Sequence, residues 1–183
     1  MNDARFPGNV RQLGHVVADL DAAITAWTAK LGVGPWTIMR NIPLQSVYLG
    51  KPTVPLIDIA LSYRGDVQIE LIQQKNDAAS PYRPYIDRGH FGLHHIAFLC
   101  EHIHDDIAQA QRRGLELIFE INMQGGGRYV YFNSPMPGEQ TYIEFLEATA
   151  TMKQMFAQGI PAAAAWGGSG APMVIDFAAM AAR

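Results

Sequence analysis

LGHVVADLDAAITAWTAKLG at residues 13–32 and LHHIAFLCEHIHDDIAQAQRRG at residues 93–114 are two versions of one pattern. Each opens on a histidine in a short apolar run, passes through acidic residues into an amphipathic segment, and stops at a glycine, Gly32 or Gly114. Each is answered downstream by a strand-like segment holding a glutamate, VQIELIQ at 67–73 and TYIEFLE at 141–147. His15 and Glu70 lie 55 positions apart, His95 and Glu144 lie 49 apart. Two such halves, each offering an imidazole and a carboxylate, can bring four metal ligands to the seam between them.

The elements around this pattern read as a repeated β-α-β-β-β order. Val10 to Ala18 alternates as a strand with Leu13, His15 and Val17 on one side. Asp19 or Asp21 caps a helix that carries Ile24, Trp27 and Leu31 on one face and ends at Gly32. Pro35 to Ile42 is a strand, and Val54 to Tyr63 pairs with Val67 to Gln73 through the tight turn Arg64-Gly65-Asp66. The polar stretch from Lys75 to Phe91, with Pro81, Pro84 and Gly89, is a linker. The order then restarts: a strand His95–Leu99, a helix Asp105–Arg113, and strands at 115–122, 128–132 and 140–147. Glycines 125–127 and the turn Pro135-Met136-Pro137-Gly138 punctuate the last three strands; the triple glycine is no phosphate cradle, because no helix follows it. The fold class expected is α+β: two tandem βαβββ modules, about 10–75 and 92–148. An extension follows over 149–183, read as a short helix, an Ala-rich piece, the flexible WGGSG and a terminal helix around Val174 to Ala181.

Composition sets limits on function. With 183 residues, 49% hydrophobic and 17% charged, the chain can bury a sizeable core. A net charge of −3 gives no basic stripe for nucleic acid. No apolar run reaches membrane-spanning length, and no signal peptide is legible at the N-terminus. The single Cys100 cannot form an internal disulfide and reads as a small buried hydrophobe. These features predict a soluble, cytoplasmic protein.

Period-two geometry puts Glu70 and Glu144 on the strand faces away from the helix-packing side chains. A solvated Glu on a half-buried strand is common, as is a core histidine, but matched recurrence in matched halves favours a metal site of His15, Glu70, His95 and Glu144. His94 competes with His95; aligning His15-Val-Val-Ala with His95-Ile-Ala-Phe selects His95 and puts His94 on the opposite face. The strand from 54 to 63 offers one carboxylate, Asp58, which either faces the cavity or is held by a structural partner. Tyr129 and Tyr131 share a face opposite Val130 and can contact substrate or pack.

The three segments LGHVVADLDAAITAW, SPYRPYIDRGHFGLHHIAF and TYIEFLE resemble the vicinal oxygen chelate superfamily, with glyoxalase I, methylmalonyl-CoA epimerase, extradiol dioxygenases and bleomycin or fosfomycin resistance proteins. The resemblance covers residues 10 to 148, and the middle segment is most similar to the epimerase branch. It implies paired modules forming a concave, partly closed mixed sheet with helices outside, around a divalent ion held from the first and last strands of each module, here His15, Glu70, His95 and Glu144. Co²⁺, Ni²⁺, Zn²⁺, Mn²⁺ or Mg²⁺ suits that mixed set, iron less so. The resemblance further implies a metal-dependent isomerase, epimerase or lyase that stabilises an enolate-type intermediate of a small oxo or acyl substrate, with Glu144 or Glu70 as base; Tyr131, placed by strand alternation, is a candidate donor to the enolate. The epimerase branch carries a separate glutamate in the first module, a stretch where this chain has only Asp58. A small-molecule binding or resistance protein and a non-haem iron extradiol-type dioxygenase are the alternatives. Members of the superfamily pair modules across dimers, and a homodimer using the apolar 174–180 segment is expected.

Overall fold

The structure is a computed structural model that describes residues 6–123, 127–134, 138 and 140–181. The first module comprises β1 (Val10–Val16), α1 (Leu20–Leu31), β2 (Thr37–Pro43), β5 (Leu56–Arg64) and β6 (Val67–Gln74), with a small hairpin of β3 (Ser46–Tyr48) and β4 (Lys51–Thr53) inserted after β2. A short helix, α2 (Arg83–Asp87), interrupts the linker. The second module runs β7 (Gly92–Cys100), α3 (Ile103–Arg112), β8 (Leu117–Met123), β9 (Gly127–Phe132) and β10 (Tyr142–Glu147). The chain closes with α4 (Ala150–Ala164), β11 (Met173–Asp176) and α5 (Phe177–Ala181).

Local chemistry explains the helix boundaries. The Asp19 carboxylate accepts from the Ala22 amide at 2.8 Å, and Gly32 ends α1 with φ 62°, a left-handed conformation that glycine adopts without a Cβ penalty. Thr149 caps α4 in the same way, accepting from Met152. Ile103, Ile107 and Ala110 form the buried face of α3 and pack on Val130, Phe132 and Phe145.

Among the described residues the strands lie in one sheet, ordered β11-β2-β5-β6-β1-β7-β10-β9-β8-β3-β4. The halves repeat one pairing rule. β1 runs parallel to β6 as β7 runs parallel to β10, and the remaining pairs within each module are antiparallel. The modules meet along the antiparallel β1–β7 seam, placing the last strand of each beside it. Leu13, Val17 and α1 pack on the convex face, whereas Val16, Ile42, Ile57, Ile72 and Tyr131 gather on the concave face.

Several elements differ from the sequence expectation. The β3–β4 hairpin, built from the first module, pairs with β8 of the second, so the sheet's far edge is closed by a borrowed strand. The short helix and Ala-rich piece are one helix, α4, which continues through Pro161. The expected terminal helix is split, because Met173–Asp176 pairs in parallel with Thr37–Arg40 of β2 and only Phe177 onward is helical. An open sheet edge supplies backbone partners there that a lone helix turn cannot. Gly125, Gly126 and the 135–137 turn lie outside the described residues.

Candidate functional site

Four polar side chains from four adjacent strands converge on the concave face at the seam. His95 Nε2 of β7 lies 3.0 Å from Glu144 Oε2 of β10 and 3.3 Å from Glu70 Oε2 of β6. It lies 3.1 Å from Gln12 Oε1 of β1. Gln12 is itself fixed by donating to Gln68 Oε1 at 2.7 Å. Glu70, His95 and Glu144 each offer a ligand atom within 4.8 Å of the others. Glu144 Oε2 is buried without a hydrogen-bond partner, although His95 Nε2 is near, because that nitrogen is directed at Gln12 instead. Burial by itself would lower the His95 pKa, but the Glu144 and Glu70 carboxylates outweigh it and push the imidazole up to about 9. Burial raises the Glu144 pKa despite the imidazole beside it. Two carboxylates and an amide oxygen around one nitrogen make a site short of positive charge, with a donor set that fits an oxygen-preferring divalent cation.

His15 does not join them, which corrects the four-ligand set read from the sequence. The strand period was right, but Leu13, His15 and Val17 face the convex side, where the His15 ring stands edge-on to Trp27 of α1, centroids 5.0 Å apart. Burial lowers its pKa, and Nδ1 has no hydrogen-bond partner. Gln12 occupies the place expected for the first imidazole. It precedes Leu20, the first residue of α1, by the same eight positions that separate His95 from Ile103 of α3. Aligning the halves on their helix starts, rather than on their histidines, would have found it. Gly14 is the second half of that arrangement: a Cβ there would run into the His95 imidazole, so the ring lies flat against bare backbone.

His94 is also on the concave side, contrary to the alternation expected. Gly14 pairs with His95 and His15 with Leu93, leaving His94 as the extra residue of a bulge, and both rings turn inward. His94 is fully buried among aromatic rings, with Nε2 3.1 Å from the Pro81 carbonyl and Nδ1 3.0 Å from His95 Nδ1. A carbonyl only accepts, so His94 Nε2 carries the proton and its Nδ1 accepts from His95 Nδ1. Burial and the neighbouring His95 keep His94 neutral, pushing its pKa well below the usual range. The linker thus keeps a proton on His95 Nδ1 and leaves Nε2 as the nitrogen presented to the carboxylates.

Asp58, expected either to face the cavity or to be held by a structural partner, is held by structural partners and lies outside the cavity lining. It lies on the face opposite Ile57 and Ile59, and those two line the cavity while Asp58 does not. Its carboxylate accepts from Asn41 N at 2.7 Å and pairs with Arg40 at 3.1 Å and Lys75 at 3.3 Å. Burial alone would raise its pKa; these donors outweigh it and hold the pKa below the ordinary value. Asn41 sits at φ 56°, at a register break between β2 and β5, and Asp58 secures that irregular backbone.

Tyr131 does line the cavity, and its hydroxyl lies 3.3 Å from that of Tyr82, a linker residue that sequence reasoning passed over. Burial, reinforced by Glu144 and Glu70, raises both phenols well above their usual pKa, so both stay protonated. Cys100 is buried behind α3, where burial pushes its thiol up, away from the reactive thiolate.

Above this polar floor lies a cavity of about 250 Å³. Apart from Gln12, Gln68, Glu70, Glu144 and Thr151 its lining is aliphatic, thioether or aromatic. Met152 and Met155 of α4 and Phe177 of α5 contribute to its wall. No helix among the described residues is long and apolar enough to cross a membrane.

The family model described as Glyoxalase/Bleomycin resistance protein/Dioxygenase superfamily matches residues 11–132, and the chain belongs to that superfamily. A curated relative, the uncharacterized protein YqjC of Bacillus subtilis, is 30% identical over 92 residues, 50% of this chain; the match spans 65% of that relative's length. Among solved structures, hypothetical protein BH1468 from Bacillus halodurans is similar with a TM-score of 0.61 at 20% identity, covering 77% of this chain and 94% of that one. Methylmalonyl-CoA epimerase from Mycobacterium tuberculosis gives 0.59 at 19% identity, covering 84% and 97%. A variant of the Streptomyces coelicolor methylmalonyl-CoA epimerase in complex with 2-nitronate-propionyl-CoA gives 0.53 at 17%, covering 78% and 95%. At these identities the likeness is one of fold.

Proposed function

We propose that this chain is a divalent-metal-dependent enzyme of the glyoxalase and epimerase type, which moves a proton next to a carbonyl of a small oxo or acyl substrate. The observation that carries the reading is the buried, unpartnered Glu144 Oε2 facing a carboxylate, an amide oxygen and an imidazole nitrogen. Gln12, Glu70, His95 and Glu144 would hold the ion, a harder set than two imidazoles give, which favours Mn²⁺, Mg²⁺ or Co²⁺ over Ni²⁺ or Zn²⁺. Bound there, the cation supplies the positive charge that a carbonyl oxygen needs while the adjacent C–H is ionised.

The protein's own groups do the rest. Glu144 or Glu70, whose carboxylates face the same cavity, would accept the proton that the C–H gives up. Tyr131 and Tyr82, kept neutral, donate hydrogen bonds toward developing negative charge. The apolar wall excludes water from that charge. An iron dioxygenase is the weaker reading, because two imidazoles and one carboxylate are its usual set and only one imidazole converges here.

Equilibrium dialysis against Mn²⁺, Co²⁺, Mg²⁺, Ni²⁺ and Zn²⁺, followed by metal analysis, should find one ion per chain. Loading should raise the melting temperature, and chelation should reverse it. The loaded protein should wash deuterium from D₂O into the carbon next to the carbonyl of its substrate. A protein that takes up none of these ions when they are in tenfold excess would sink the proposal.

A further inference from the structure

We propose that the substrate is a compact, singly anionic or neutral 2-oxo compound bearing one apolar branched-alkyl or aryl group, and that Met155 and Phe177 are the residues that select that group. This deepens the reading above and rests on it only for the placement of the substrate oxygens at the polar floor.

The cavity divides sharply. Its carboxylate and amide groups, from Gln12, Gln68, Glu70 and Glu144, are gathered at one end, on strands β1, β6 and β10, with the buried His95 imidazole behind them. Among the described residues no lysine or arginine lines it. A second charged group on the substrate would therefore meet methyls, thioethers and rings, an uncompensated desolvation. The volume of about 250 Å³ lies below the usual range for drug-sized ligands. It holds an aryl or branched-alkyl 2-oxo acid but not a nucleotide carrier, which would have to remain outside.

The selecting wall comes from segments after the two repeated modules. α4 is anchored to β5, with Tyr63 donating to the Met155 carbonyl at 3.1 Å and stacking edge-on against Phe156. That clamp turns Met152 and Met155 inward; thioethers adapt their shape to an apolar guest. Phe177 arrives by a different route. β11 pairs with the free edge of β2, Asn41 donates to Asp176 at 3.0 Å, and the next residue enters the concave cluster. Met173 and Val174 on β11 are 59% and 58% exposed, so this strand is held by backbone pairing and serves to deliver Phe177.

The test is calorimetric titration of the full chain, loaded with Mn²⁺, using phenylpyruvate, pyruvate, oxaloacetate and propionyl-CoA. Phenylpyruvate should bind at least about tenfold more tightly than any of the others, the expected effect of burying one phenyl group. Phe177→Ala should cut its advantage over pyruvate to less than about threefold, Phe177→Trp should weaken phenylpyruvate while sparing pyruvate, and Met155→Ala should shift the ratio in the same direction as Phe177→Ala. Tighter binding of oxaloacetate or propionyl-CoA, or an unchanged ratio in both alanine variants, overturns the proposal. In parallel, acetophenone and acetone are titrated into the metal-free protein. A preference for acetophenone that Phe177→Ala or Met155→Ala abolishes supports the apolar selection even if no Mn²⁺ binds, and equal binding of the two overturns it.

Discussion

The two modules share a backbone and differ in what they place on it. β1 and β7 occupy equivalent positions beside the seam, yet one delivers the amide of Gln12 and the other the imidazole of His95. β6 and β10 both deliver a glutamate, but the Glu144 side chain is 4% exposed and that of Glu70 is 13%. The second module also has a bulge at His94 that buttresses its imidazole, whereas Gln12 leans on Gln68 within its own module. Equivalent strand positions thus hold donors of different chemistry, and those of the second module are the more deeply buried.

The most damaging break in this comparison is at its deepest donor. Glu144→Gln should weaken Mn²⁺ binding at least a hundredfold by calorimetry, and Glu70→Gln should weaken it less, because Glu70 is the more hydrated carboxylate. Equal losses would show that the two halves contribute alike. Asp58→Asn should leave ion binding within a factor of two while costing roughly 3 kcal/mol of stability, because it strips the partner from Arg40 and Lys75. The sign of its pH dependence follows from a lowered folded pKa. The stabilisation is full above the unfolded value of about 4 and disappears as pH falls through the lower folded value. Melting curves of wild type and variant should therefore converge in acid; a constant gap down to pH 2 would contradict the ion-pair account.

Much of this molecule was legible in the sequence because it is local. Amphipathic period, the Asp19 cap, the Gly32 stop and the Arg64-Gly65-Asp66 turn each depend on a few neighbouring residues. So does the inward placement of Glu70, Glu144 and Tyr131. What stayed hidden is non-local. β3, β4 and β11 are three or four residues long, and they exist because β8 and β2 offer unpaired edges. The bulge at His94 cannot be told from plain alternation without knowing β1's register. His15 differs for another reason: it lies three positions beyond Gln12, an odd offset that puts it on the opposite, convex face, and an amide carries no ligand signature as plain as that of an imidazole.

The Gln12 position offers the finer test. Gln12→His would make the first half resemble the second, and it should raise affinity for Co²⁺ and Ni²⁺ by about tenfold relative to Mg²⁺, since imidazole favours the later metals. His15→Ala should leave every ion affinity unchanged and cost about 1–2 kcal/mol by removing the ring that packs on Trp27. A loss of metal in His15→Ala with none in Gln12→Ala would restore the assignment that the structure overturned.

The gentlest perturbation concerns the buttress behind His95. His94 holds its proton on Nε2 against Pro81 and so requires a proton on His95 Nδ1. His94→Gln keeps a side chain able to donate and accept, and it should weaken Mn²⁺ binding by only about tenfold or less, whereas His94→Phe removes the acceptor and should weaken it by nearer a hundredfold. Fold loss would mimic that result, so the readout that separates the two is ¹⁵N NMR of the histidine rings. In the wild type, His94 should show a protonated Nε2 and a bare Nδ1, and His95 should keep Nδ1 protonated whether or not the ion is bound. A His94 carrying its proton on Nδ1 would leave nothing to accept from His95, and the second module's advantage over the first would then lie in burial alone.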